Sequence, residues 1–343
     1  MSRTDDPLFS SPATTDSTGC EATPCRQVLI VGHGRSGTNW LLQTLDLSPL
    51  THCRNEADKL AGSPFRQIQN PWVDVEGADL ATAWDEAVAC AAVHWGERDH
   101  LVPGPKAPLR GISRPLGLYR LVAGHRCRSV LRLLMRSLRG AEYRFPAWVV
   151  NRTALAEARC VLKLNQVPGW AAWLLKHRTN TVVLHIARHP GGMLNSWRHR
   201  FLNRKGEDAV RAASRDRLQL IATADEAWAD RFGDIDAMGV EDLELWFWRY
   251  ATETVDTAGA NHPRYLRILY EDLVTRTIDV ARDIYAHCDL AWSASIESAV
   301  HASTVNSSAT ASAWRSKLNA TDHEKVATVL RDPPYCHWWK SHD

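Results

Sequence analysis

Short runs of apolar, often β-branched residues recur along the chain, separated by longer stretches with helical periodicity. The runs are residues 27–31, 160–165, 181–187 and 265–273, and a further short strand is predicted to end near Asn55. Runs without polar alternation are typical of strands buried on both faces of a parallel sheet. Helical patterns cover 38–45, 79–95, 240–258 and 277–288. The alternation predicts a three-layer α/β/α protein with a central, mostly parallel sheet.

Three segments depart from this pattern. Residues 1–25 are rich in Ser, Thr, Asp and Pro and lack the apolar region of a signal peptide, which predicts a disordered tail. Residues 26–343 are predicted to form one domain, with helical cap insertions at about 60–155 and 200–240. Within the first insertion, residues 116–139 read as a basic amphipathic helix, which suits contact with an anionic membrane or an acidic acceptor. The solvated face of a cap helix gives the same pattern.

Composition narrows the possible partners only a little. The 343 residues are 45% hydrophobic and 23% charged, with a net charge of +2, so bulk charge does not indicate nucleic acid. No run of eighteen apolar residues predicts a membrane span. The eight cysteines are scattered without a CxxC pair, which favours free thiols in a reducing, cytoplasmic setting over a zinc site.

A glycine-rich turn joins the first strand to the first helix. Three glycines lie between residues 32 and 37, where a backbone can approach an anion and helix N–H groups can bind it. The spacing of Gly32 and Gly37 is that of the P-loop of nucleotide hydrolases. Thr38 and Asn39 stand where that loop carries Lys and then Ser or Thr for phosphate and Mg²⁺. The cation lies at Arg35 instead, which predicts an anion site that needs no metal.

This turn resembles the phosphosulfate loop of the sulfotransferase family, which reads roughly (K/R)-S-G-T-(T/N)-W. The matching residues are Arg35, Ser36, Gly37, Thr38, Asn39 and Trp40. The resemblance implies a P-loop-type fold and the sulfuryl donor 3′-phosphoadenosine 5′-phosphosulfate (PAPS). It also implies that the loop holds the 5′-phosphosulfate and that Trp40 stacks on adenine. Another P-loop protein with an altered loop is the alternative at this motif.

Further motifs of the same family follow in the right order. Its 3′-phosphate motif has Arg, Pro two residues later and Ser eight residues after the Arg, as at Arg188, Pro190 and Ser196. Arginine suits this role because its planar fork meets two phosphate oxygens. Residues 270–273 match a Tyr-Glu-Asp-Leu turn, interpreted as a strand end whose carboxylates cap the helix at 277–288. Arg315 is the candidate for a basic loop that closes over the 3′-phosphate, with a surface basic cluster as the alternative.

Three residues are candidates for catalysis: Arg35 of the glycine turn, and Glu56 and Lys163 at predicted strand ends. By resemblance, Lys163 contacts the bridging oxygen and the sulfuryl group, but Asn165 stands where cytosolic members carry a histidine base. Glu56 follows the second strand, and the carboxyl ends of parallel strands meet at one edge of the sheet. Glu56 is therefore the candidate base, because an attacking hydroxyl must lose its proton. A solvated carboxylate is the alternative for Glu56, and a strand-end lysine extended to solvent is the alternative for Lys163.

Together these features predict sulfuryl transfer from PAPS to a hydroxyl group, releasing adenosine 3′,5′-bisphosphate (PAP). The acceptor is expected to be a carbohydrate, glycolipid or natural product, and no metal is implied. A P-loop kinase that uses ATP is one alternative, and a non-catalytic nucleotide-binding protein on the same fold is another. The sequence leaves the exact acceptor and the oligomeric state open.

Overall fold

The structure of the chain is a computed structural model. It describes residues 27–59, 63–66, 68, 70–73, 79–95, 143–144, 157–202, 206–303, 311–331 and 335–339. The predicted tail at 1–25 and the predicted basic helix at 116–139 lie outside these residues. The strands are β1 (Gln27–Gly32), β2 (Thr51–Asn55), β3 (His94–Trp95), β4 (Tyr143–Arg144), β5 (Arg159–Lys163), β6 (Thr181–Ala187) and β7 (Tyr265–Leu269).

Helices connect these strands on both sides of the sheet. In chain order, the helices before β7 are α1 (Thr38–Leu45), α2 (Asp79–Val93), α3 (Pro168–His177), α4 (Pro190–Trp197), α5 (Glu207–Ala224), α6 (Glu226–Phe232) and α7 (Val240–Gly259). The helices after β7 are α8 (Tyr270–Thr275), α9 (Thr277–His287), α10 (Ala294–Ser303), α11 (Trp314–Lys317) and α12 (Ala320–Leu330). Short 3₁₀ turns lie at Ala57–Lys59, Pro64–Arg66 and Tyr335–Trp339, and a π-helical turn lies at Arg198–Leu202.

Five strands form one sheet in the order β2-β5-β1-β6-β7, and every neighbouring pair is parallel. Strands β3 and β4 form a separate antiparallel pair. The prediction of a central parallel sheet with flanking helices is therefore confirmed. Strand β1 lies between β5 and β6, and the connection from β5 to β6 takes the chain from one side of β1 to the other. This is the position at which open parallel sheets place their ligand sites, beyond the carboxyl ends of the strands.

Alternation along β1 builds the two faces of the core. Val28 and Ile30 pack into a buried cluster with side chains of α1 and α9, whereas Leu29 and Val31 pack into a second cluster on the opposite face. That second cluster contains Trp84 of α2 and two tryptophans of α3. Both faces of the strand are thus dry, which explains why its sequence is a continuous apolar run.

The helices of the predicted cap segment at 200–240 pack against α7. Leu218 and Ile221 of α5 and Trp228 of α6 share a buried cluster with Leu243 and Phe247. This cluster attaches both helices to the same side of the molecule as the turn after β1. Among the residues that the structure describes, no helix is both long and apolar enough to cross a bilayer.

Candidate functional site

The turn after β1 is built for close approach of its backbone. A Cβ atom on Gly32 would lie 2.5 Å from the carbonyl oxygen of Ile186, and one on Gly37 would lie 2.8 Å from the ring of Tyr270. Gly37 and Arg35 both have left-handed backbone conformations, with φ of 99° and 78°. Within the described part of the chain, the N–H groups of Arg35, Gly37 and Thr38 have no hydrogen-bond acceptor. Such a turn at a helix N-terminus can bind an anion through backbone N–H groups.

The two predicted phosphate motifs meet at this turn. Arg35 Nε donates a hydrogen bond to Ser196 Oγ at 3.0 Å. Arg188 Nη1 donates to the carbonyl oxygen of Arg35 at 3.1 Å. Arg188 itself is 4% exposed, and its guanidinium lies 4.3 Å from the centre of the Tyr270 ring. Burial lowers the pKa of this guanidinium, although the nearby Tyr270 and Glu271 raise it. A phosphate beside Arg188 would supply a counter-charge to a buried cation.

The segment 270–273 supports the turn that follows β6, which corrects its predicted role. It forms helix α8 instead of a turn, and residue Arg276, at the N-cap of α9, makes no side-chain capping bond. Glu271 instead accepts a hydrogen bond from the backbone N of His189 at 3.1 Å and another from Trp339 Nε1 at 2.8 Å. The carboxylate therefore holds the peptide next to Arg188 in place.

His189 links this turn to the carboxyl-terminal segment. Its Nδ1 accepts a hydrogen bond from the backbone N of Gly191 and caps α4, the helix that carries Ser196. Its ring stacks on Trp314 at a centroid distance of 4.2 Å. Burial, together with the charge of Arg315, lowers the pKa of His189 to about 3. The structure thus brings Arg315 to the corner of the molecule that holds Arg188 and Ser196.

We expect His189 to make stability depend on pH. The unfolded chain gains a proton on this ring below pH 6.5, whereas the folded chain gains it only near the folded pKa of about 3. The stabilisation by the neutral ring is therefore complete above pH 6.5 and is lost as the pH falls toward 3. Between pH 7 and pH 5 the loss in unfolding free energy should be about 2 kcal/mol.

His189→Asn is the matched variant for this test, since asparagine caps a helix without titrating. Urea unfolding at pH 7 and at pH 5 should show a smaller loss of stability in the variant than in the wild type. An equal loss in both proteins would show that other groups cause the pH dependence.

The predicted catalytic pair lies at the ends of β2 and β5. Glu56 has a φ of 54°, and its backbone N donates to the carbonyl oxygen of Lys163 at 2.8 Å. Lys163 Nζ donates to Glu56 Oε1 at 3.1 Å and to Asn55 Oδ1 at 2.8 Å. The Lys163 side chain is 2% exposed and that of Glu56 is 11% exposed. The two residues are therefore in direct contact at the site, and Lys163 does not extend to solvent.

Asn165 connects Glu56 to the glycine turn. Its Nδ2 donates to Glu56 Oε1 at 2.9 Å, and its Oδ1 accepts from Thr38 Oγ1 at 3.1 Å. Glu56 Oε2 accepts a hydrogen bond from Lys59 at 3.2 Å, and the Lys59 side chain is 47% exposed. Oε1 is thus held by Lys163 and Asn165, whereas Oε2 contacts the exposed side chain of Lys59. Asn165, which stands where cytosolic members carry a histidine base, therefore helps to position Glu56, the candidate base of this chain.

Trp40 does not stand free above the turn. It is half-buried in α1 and packs against the cluster that includes Val28 and Ile30. Its stacking on an adenine stays a prediction.

A buried polar cluster beneath the turn was not predicted from the sequence. His33 Nε2 lies 2.8 Å from Glu244 Oε1, and Arg217 Nη2 lies 2.6 Å from Glu244 Oε2. Burial by itself would raise the pKa of Glu244, but Arg217 and His33 lower it to about 2. In the sequence, the only feature that indicates this cluster is a histidine between two glycines. The sequence around Glu244 does not indicate its role, because its partners are distant in the chain.

A parallel α/β sheet with a P-loop-type turn after its central strand defines the class of this protein. A family model described as the sulfotransferase family matches residues 27–294. Since the match covers more than half of the chain, the chain belongs to the sulfotransferase family. A search of the curated proteins gave no match.

Solved structures with a similar chain path include bacterial sulfotransferases. The sulfotransferase domain of the Synechococcus PCC 7002 olefin synthase is 14% identical with a TM-score of 0.42, covering 94% of this chain and 100% of that domain. The sulfotransferase domain from the curacin biosynthetic pathway is 12% identical with a TM-score of 0.45, covering 92% and 100%. A sulfotransferase of Mycobacterium tuberculosis H37Rv is 16% identical with a TM-score of 0.38, covering 90% and 78%. Membership of the family rests on the family model.

Proposed function

We propose that this chain transfers a sulfuryl group from PAPS to an acceptor hydroxyl. The observation that carries the proposal is the contact between the two phosphate motifs. Arg35 of the glycine turn is hydrogen-bonded to Ser196, and its carbonyl oxygen accepts from Arg188. One adenine nucleotide with phosphates at its 3′ and 5′ positions can therefore reach both motifs.

The donor would be held at both of its phosphate-bearing ends. In this proposal the N–H groups of residues 37–39 bind the 5′-phosphate, because the Ser36 N–H donates to the carbonyl oxygen of His33. Arg35 adds a positive charge there. Arg188 and Ser196 bind the 3′-phosphate, with Arg315 as a further cation on that side. The buried Arg188 suits this role because its guanidinium offers a planar pair of donors to phosphate oxygens. Stacking of Trp40 on adenine completes the proposed donor site.

The transfer step requires a base, an aligned acceptor and stabilisation of the leaving group. The acceptor oxygen forms a bond to sulfur while the bond from sulfur to the bridging oxygen breaks, and that electron pair remains on the phosphate of PAP. We propose that Glu56 takes the hydroxyl proton through Oε2, whose partner is the exposed Lys59, because Oε1 is held by Lys163 and Asn165. Lys163 then neutralises charge on the leaving oxygen. Among the described residues, no group of three or more His, Cys, Asp or Glu side chains is arranged to hold a metal ion.

A sugar, glycolipid or natural-product hydroxyl is our proposed acceptor. The support is that Asn165 replaces the histidine of cytosolic members, while a buried contact orients Glu56 in its place. The proposed cap segments at about 60–155 and 200–240 of the 26–343 domain would line the acceptor side, and 116–139 would contact an acidic acceptor or a membrane surface. Cys53, Cys160 and Cys288 are buried and lie outside any disulfide, which is in line with our proposal of a cytoplasmic location.

Transfer of labelled sulfate tests the proposal directly. Purified protein is incubated with ³⁵S-labelled PAPS and a panel of sugars, glycolipids and phenols, with PAP release measured in parallel. Labelled product that forms equally well with a metal chelator present is the expected result. Mg²⁺-dependent consumption of ATP instead would support a P-loop kinase. Tight binding of PAP without transfer to any acceptor would support a non-catalytic nucleotide-binding protein.

A further inference from the structure

His33 lies inside the glycine turn, yet its side chain is turned away from solvent. The residue is 3% exposed, and its ring lies against Phe247 at a centroid distance of 5.9 Å. Its partner Glu244 is 2% exposed, so the contact between them is shielded from water. A buried carboxylate persists only when it is paired and hydrogen-bonded. The contact between His33 and Glu244 is therefore expected to persist in the folded protein.

Both nitrogens of the His33 ring face oxygen acceptors. Nε2 lies 2.8 Å from Glu244 Oε1, and Nδ1 lies 2.9 Å from the carbonyl oxygen of Gly34. These two contacts fix the orientation of the ring. The side-chain amide of Gln166 contacts both partners, at 3.3 Å from His33 Nε2 and 3.4 Å from Glu244 Oε1.

The contact with Gly34 fixes the next peptide group. In a trans peptide the C=O and N–H bonds point in opposite directions. Since the Gly34 carbonyl points at the His33 ring, the N–H of Arg35 points away from it. That N–H has no acceptor among the residues that the structure describes, and Arg35 has a left-handed φ of 78°. The histidine thus aims one of the turn's N–H donors.

The other end of the contact reaches the predicted cap. Glu244 belongs to α7, and its second oxygen accepts from Arg217 at 2.6 Å and from Ser214 at 3.3 Å. Both of these donors lie on α5. The Arg217 guanidinium also stacks 3.6 Å from the centre of the Phe247 ring. The cluster therefore joins the glycine turn to a helix of the 200–240 segment through buried charges.

We propose that His33, held in this orientation by Glu244, is a positioning residue that directs the Arg35 N–H toward the 5′-phosphate of the donor. This inference rests on the proposed function, because it assigns an element of the same donor site. It predicts a specific effect on one phosphate of the nucleotide. A role in folding alone would affect all ligands alike.

The test measures binding of three nucleotides by calorimetry: adenosine 5′-phosphate, adenosine 3′-phosphate and PAP. His33→Gln keeps a donor for Glu244 but loses the contact with Gly34. It should weaken adenosine 5′-phosphate and PAP by a similar factor of about tenfold, and change adenosine 3′-phosphate by less than about twofold. Glu244→Gln, which releases the ring without altering the turn, should give the same selectivity.

The remaining outcomes are equally decisive. Equal weakening of all three nucleotides, unchanged binding of all three, or loss of cooperative unfolding in both variants would overturn the role of His33. If the wild-type protein bound none of the nucleotides, the proposed function itself would fail. The two failures are therefore distinguishable within one set of measurements.

Discussion

Glu56→Gln is expected to lower turnover by about 10²- to 10⁴-fold, the usual contribution of a general base. Glutamine has nearly the same shape, and its amide oxygen can still accept from Lys163, so the ends of β2 and β5 should keep their geometry. The variant loses the ability to take the acceptor proton. Affinity for PAP should stay near the wild-type value, because Glu56 contacts no residue of the proposed 3′-phosphate site.

Turnover is measured by sulfuryl transfer at saturating donor, and PAP affinity by calorimetry on the same preparations. Lys59→Gln is the matched control, since Lys59 contacts the outer oxygen of Glu56 from a side chain that is 47% exposed. Exposed ion pairs contribute little, so this variant should retain activity within about threefold. Near-normal turnover in Glu56→Gln would remove Glu56 from the role of base.

The parts of the fold that depend on local pattern could be predicted from the sequence. Strand β6 spans Thr181–Ala187 as predicted, because all seven of its residues are buried and apolar runs of this length identify such strands. The first helix begins at Thr38, as predicted, and ends at Leu45. Its start is fixed locally by Gly37, which has a left-handed backbone conformation that other residues adopt only with strain.

Contacts between distant segments could not be predicted in the same way. The interpretation of 270–273 as a helix-capping turn was wrong because the partners of Glu271 are His189 and Trp339, which lie far from it in the chain. Capping preferences describe only neighbouring residues. The π-helical turn at Arg198–Leu202 was likewise absent from the pattern. There Arg198 binds Glu241 and Asp322, which hold the end of α4 against α7 and α12.

The candidate site was predictable to the extent that parallel strands share one edge. Register alone brings the ends of β1, β5 and β6 together, which accounts for the contacts of Arg188 with Arg35 and of Asn165 with Thr38. The orientation of each side chain is a separate matter. That Asn165 contacts Glu56, and that His33 turns inward to Glu244, depends on tertiary packing of residues without a local signature.

Arg188→Ala should weaken the binding of PAP on the order of 10²-fold, while adenosine 5′-phosphate changes by less than about threefold. The physical reason is that a buried guanidinium gives charge-assisted bonds to a phosphate, and alanine leaves none. The remaining interactions of the 5′-phosphate come from the turn itself. Arg188 also donates to the Arg35 carbonyl, which accounts for the small expected change in adenosine 5′-phosphate.

Two further arginine variants make this result interpretable. Arg188→Lys keeps the charge but loses the planar fork, so its PAP affinity should fall between the wild type and alanine. Arg282→Ala removes an exposed arginine of α9 that pairs with Glu297, and it should bind every nucleotide as the wild type does. Equal weakening of PAP and adenosine 5′-phosphate in Arg188→Ala would contradict the 3′-phosphate assignment. Since the two phosphate motifs touch through Arg35, that outcome would mean Arg188 acts mainly by shaping the glycine turn.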